Sequence, residues 1–85
     1  MKLAGKTAIV TGGGRDIGSA VAIKLASEGA NVVINYYSSS ESADRTVATI
    51  EAAGGKAIAL QGDLNQTKDV DALVAETVSI FGSID

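Results

Sequence analysis

Ten glycines and no proline punctuate this sequence, and they divide it into a regular alternation of two apolar patterns. Short apolar runs at residues 6–11 (KTAIVT), 31–37 (NVVINYY) and 56–61 (KAIALQ) are each followed by a stretch with helical spacing. Residues 16–28 carry Ile17, Ala20, Val21, Ile23, Leu25 and Ala26, a pattern suited to a helix packed closely on a sheet. Residues 41–53 place Ala43, Val47 and Ile50 on one helical face. A third helix from Thr67 to about Phe81 carries Val70, Leu73, Val74, Thr77, Ile80 and Phe81. Gly29, Gly54-Gly55 and Gly82 stop the three helices, and the serines at 38–40 supply N-caps for the second. Strands that are apolar throughout belong to a parallel sheet covered by helices. Right-handed crossovers then set the strand order at 3-2-1, with the first two helices on one face and the third on the other. The expected fold is α/β and three-layered.

At 85 residues the chain makes one small domain, and 46% apolar with 20% charged residues describes a globular one. Cysteine and histidine are both absent. Disulfides, thiolate nucleophiles, Cys/His zinc sites and Ser-His-Asp triads are thereby excluded, and no metal site is expected. A net charge of −3 without a basic run argues against a nucleic-acid partner. No apolar run approaches the roughly 18 residues of a membrane span, and the N-terminus is a poor signal peptide, so the expected location is cytoplasmic.

The chemistry concentrates in residues 11–18, TGGGRDIG, between the first strand and the first helix. Helix N-terminal amides lack intrahelical partners and carry partial positive charge, so an anion docks there. Gly12 permits the tight turn out of the strand, and Gly18 lets the helix lie close to the sheet. With strand, helix and a second βα unit all in place, the pattern reads as a dinucleotide pyrophosphate loop. Gly5-Lys6-Thr7 mimics the end of a P-loop but precedes a strand instead of following one. Asn65-Gln66-Thr67 matches a glycosylation sequon and is read as helix-capping chemistry; the acidic residues of the third helix are read as a solvated face.

TGGGRDIG resembles the TGxxxGxG signature of the short-chain dehydrogenase/reductase family. GKTAIVTGG, LASEGANVVINYY and the strand-ending GDL are similar to its 3-oxoacyl-carrier-protein-reductase-like branch. The resemblance covers essentially the whole chain. It implies a Rossmann fold, a nicotinamide cofactor, reduction of ketones or oxidation of alcohols, and a homo-oligomer. It further implies that Gly12, Gly14, Arg15, Asp16, Ile17 and Gly18 form the phosphate loop, with the Ile17 N–H on the pyrophosphate. Asp63 then binds the adenine amino group, with Leu64 beside the ring; a turn residue before the third helix is the alternative for Asp63.

Members specific for NAD place an acidic residue at the end of the second strand. Here that position holds Tyr36, followed by Tyr37, Ser38 and Ser39, and no carboxylate appears before Glu41. Arg15 matches the family's basic partner for a 2′-phosphate, whose geometry suits a guanidinium. Both point to NADP over NAD. The competing interpretation makes Arg15 a solvated loop cation and the serines simple helix caps.

The family's catalytic serine and Tyr-x-x-x-Lys pair have no counterpart here: Ser40 and Glu41 stand four residues after Tyr36 and Tyr37. No catalytic residue is therefore assigned. Residues 1–85 are expected to be the N-terminal part of a dinucleotide-binding Rossmann domain, cut before a fourth strand. They would be inactive alone and would meet a small carbonyl or alcohol substrate only within a full-length parent. The first strand's open apolar edge predicts self-association. Two alternatives remain: a nucleotide-binding module without catalysis, and an interaction domain without a ligand. Asp16 departs from the family glycine, and it is expected to cap the first helix and leave the Ile17 amide for the phosphate.

Overall fold

The computed structural model describes residues 3–11, 16–37, 40–82 and 84. Six elements follow in the order β1 (Thr7–Thr11), α1 (Asp16–Ser27), β2 (Asn31–Tyr36), α2 (Glu41–Ala52), β3 (Lys56–Gln61) and α3 (Thr67–Phe81). The strands form one parallel sheet with β2 in the middle, the expected 3-2-1 order. Its register pairs Val10 with Ile34 and Ile34 with Ala59, so these three side chains share a face. The second strand stops at Tyr36, one residue early, and Tyr37 forms an exposed bend.

Alternation along the strands sorts the two faces. Val10, Val32, Ile34 and Ala57 meet Ala22 and Ala26 of α1 and Ala43 and Ile50 of α2 in one buried cluster. Val32 and Ile34 are wholly buried there. The hydroxyls of Ser19 and Thr46 hydrogen-bond at 2.8 Å, joining α1 to α2 within this layer. The other face carries Thr7, Val33 and Asn35, all buried, and the buried residues of α3 are Leu73 and Thr77.

The buried stripe of α1 differs from the expected one. Val21 is 47% and Ile23 is 37% exposed, and Ala20 is exposed, whereas Ala22 is completely buried. Gly18, Ala22 and Ala26 recur every fourth residue, and this small-residue line lets the helix backbone approach the sheet. Val21 and Ile23 then fall outside the contact, whereas Leu25, as expected, packs half-buried against the cluster. On α3, Leu73 and Thr77 are buried and Val70 and Phe81 half-buried, but Val74 and Ile80 are exposed.

Helix α1 ends in a Schellman turn. Gly29, at φ +97°, donates to Ala26 O, and Ala30 donates to Leu25 O. Helix α2 repeats it with Gly54 to Glu51 O and Gly55 to Ile50 O. Each turn delivers the chain directly into the next strand. The expected N-caps are not realised as side-chain bonds. Ser40 and Gln66 occupy the N-cap positions of α2 and α3, but neither side chain caps its helix. Ser40 contributes its carbonyl instead, which accepts the Asp44 N–H at 2.7 Å.

Candidate functional site

Because the strands are parallel, all three βα connections leave the same end of the sheet. Thr11 stands in register with Asn35, and Tyr36 with Gln61. The carboxyl ends of the three strands therefore stand side by side, where open α/β sheets bind ligands. A cleft of about 540 Å³ lies at the opposite end, bordered by Ile23, Ala26, Ile50 and Lys56. No carboxylate lines it among the described residues.

Gly12, Gly14 and Arg15 of the first loop, and Ser38 and Ser39 of the second, lie outside the described residues. Asp16 and Ile17 open α1, and the structure describes them as helical backbone only. Asp16 thus stands inside the first turn, where a negative charge still favours the helix dipole. Gly18 follows, half-buried, in the same turn. Tyr36 is half-buried and packs on the α1/α2 core, whereas Tyr37 is 66% exposed.

Asp63 is half-buried just beyond β3, and Leu64 beside it is 43% exposed. Three bonds hold Asp63. Its N–H donates to Asp69 Oδ2 at 2.9 Å, its carbonyl accepts the Gln66 N–H at 2.9 Å, and its Oδ1 accepts the Asn65 N–H at 2.9 Å. The last is an Asx turn, so Asp63 does perform the turn role that its position suggested. Its other oxygen, Oδ2, has no partner among the described residues.

The loops after β2 and β3 are laced together. Buried Asn35 donates through Nδ2 to Leu60 O and Gly62 O, both at 3.3 Å. In return Gln61 Nε2 donates to Tyr37 O at 3.1 Å, and Gly62 N–H to Tyr36 O at 2.9 Å. Asn35 and Asp69 were not singled out from the sequence. The available signals were an amide in an otherwise apolar strand and a carboxylate in the first turn of α3. Asp69 belongs to the acidic set expected to form a solvated face, but it is half-buried and engaged. No cluster suited to a metal ion occurs among the described residues. No helix among them is long and apolar enough to cross a membrane.

Relatives agree with this architecture. A hydroxynaphthalene reductase of Aspergillus fumigatus, arp2, is 46% identical over the whole chain, which spans 31% of its length. A dehydrogenase/reductase crystal structure from Sinorhizobium meliloti superposes with a TM-score of 0.95 at 45% identity, covering 99% of this chain and 33% of that one. A short chain dehydrogenase from Burkholderia cenocepacia, crystallised in complex with NADP, superposes at 0.93 with 46% identity, covering all of this chain and 35% of the other. The chain therefore spans about a third of the length of the relatives it matches. The short chain dehydrogenase family matches residues 6–85, and the chain belongs to that family.

Proposed function

We propose that this chain is the coenzyme-binding part of an NADP(H)-dependent short-chain oxidoreductase acting on ketones or alcohols. The observation that carries the preference is the end of β2: Tyr36 and the exposed Tyr37 stand there, and no carboxylate appears before Glu41. A carboxylate at that position would accept the ribose 2′-hydroxyl and repel a 2′-phosphate. Arg15 supplies the cation for that phosphate. The Burkholderia relative's complex with NADP supports the same reading.

In this reading Gly12, Gly14, Arg15, Asp16, Ile17 and Gly18 hold the pyrophosphate at the α1 N-terminus. Tyr36, Tyr37, Ser38 and Ser39 border the adenosine ribose, and Asp63 Oδ2 accepts from the adenine amino group with Leu64 against the ring. The unpartnered Oδ2 of an otherwise fully bonded residue fits that acceptor role. NADPH, when bound, supplies a hydride. No Tyr-x-x-x-Lys pair occurs in these 85 residues to supply the matching proton. The chain alone is accordingly expected to bind without turnover, with substrate met only in a longer, oligomeric protein.

Fluorescence titration tests this. NADPH is expected to bind about tenfold or more tightly than NADH, and Arg15→Ala to erase most of the difference. Equal affinity for the two would overturn the NADP reading. A non-catalytic binding module shares these expectations and separates only by turnover in a longer chain.

A further inference from the structure

We propose that Asp69 is a positioning residue for the adenine end of the site, acting through the Asp63 backbone. This rests on the reading of Asp63 as the adenine acceptor. The β3–α3 turn has two kinds of restraint. The Asx bond from Asn65 and the Gln66-to-Asp63 bond are local, and they shape the turn without fixing where it sits. Three others reach outward, one of them the Gly62 N–H to Tyr36 O bond of the sheet. Asp69 Oδ2 ties the Asp63 N–H to the first turn of α3, and Asn35 Nδ2 ties Gly62 O to β2.

Gly62 is packed between the same two residues. A Cβ built there would lie 3.5 Å from Asn35 Nδ2 and 3.6 Å from Asp69 Cβ. The turn is thus seated between the central strand and α3, and Asp69 provides its only side-chain tether to the helix among the described residues. Removing that carboxylate leaves the local turn intact. It frees the Asp63 carboxyl to shift relative to the sheet end, and with it the one oxygen available to a ligand. A single bond to a buried or half-buried acceptor is sensitive to such a shift.

The test compares NADPH with its hypoxanthine counterpart, in which an oxygen replaces the adenine amino group. Both are titrated by fluorescence into the full 85-residue chain. The wild-type chain is expected to prefer adenine by about tenfold. Asp69→Ala is expected to bring this preference to within about twofold, whereas Asp69→Asn, whose carboxamide oxygen still accepts the Asp63 N–H, retains it. Asp69→Ser, with a hydroxyl too short to reach, should behave as the alanine variant and carries the test if the latter does not fold.

A merely structural role would weaken both ligands equally and leave their ratio intact. That outcome, or loss of the preference in Asp69→Asn, overturns the proposal. No preference in the wild-type chain overturns the reading of Asp63 itself, and the two failures are thereby distinguished.

Discussion

Asp16 puts a negative charge where the family signature has glycine, and its two physical consequences oppose each other. Unit charges about 4 Å apart repel by about 4 kcal/mol at an effective dielectric near 20, and by less when solvated. An aspartate inside the first turn of a helix, instead of at the expected cap position, stabilises it through the dipole by about 0.3–1 kcal/mol. The helix does begin at Asp16. If the carboxylate turns outward, Asp16→Gly should leave NADPH affinity unchanged on titration while lowering helix stability. A tenfold gain would show that it occupies the anion site. Asp63 was singled out through the family resemblance, with a turn residue as the alternative, and the structure shows the turn. Its tether to Asp69 was not legible, since it depends on how the turn meets α3. Asn35 was hidden for a related reason. A buried amide within NVVINY becomes intelligible only when the neighbouring strand presents Leu60 O and Gly62 O to it.

The helix stops are the elements that composition reveals best. Gly29 and Gly54 both adopt positive φ and both close Schellman turns, so a glycine after an apolar-periodic stretch was a sound boundary marker. Gly55 is there for space instead. A Cβ at Gly55 would lie 2.7 Å from Ile50 Cγ2, and Ile50 is only 2% exposed, so it has nowhere to move. Gly55→Ala should therefore destabilise the fold by about 1–3 kcal/mol, read as a lower urea midpoint at unchanged slope. Helical faces were less legible than helix ends. For α1 the apolar count favoured Val21 and Ile23, but the sheet selected the Gly18–Ala22–Ala26 line, because small residues permit the closest approach. The Ser40 and Gln66 caps failed similarly: the residues hold the cap positions, but their backbone carbonyls and not their side chains make the bonds.

At the scale of the molecule, β1 is an edge strand whose TAIVT sequence contains no charge. Such an edge offers unpaired backbone groups to another chain. The 85-residue chain is expected to sediment as a self-associating species, and Ile9→Lys to shift it toward monomer with its circular dichroism retained; a concentration-independent monomer would refute this. The exposed Val74, Val78 and Ile80 of α3 leave further apolar surface. The alternation of apolar runs with helical stretches, stopped by glycine, by itself determined the parallel sheet and its order. Those properties follow from local periodicity and from the handedness of the crossovers. Tertiary structure alone decided which helix residues are buried, and that Asn35 and Asp69 seat the turn bearing Asp63. Both depend on distances between elements that are far apart in the chain, and periodicity carries no information about them.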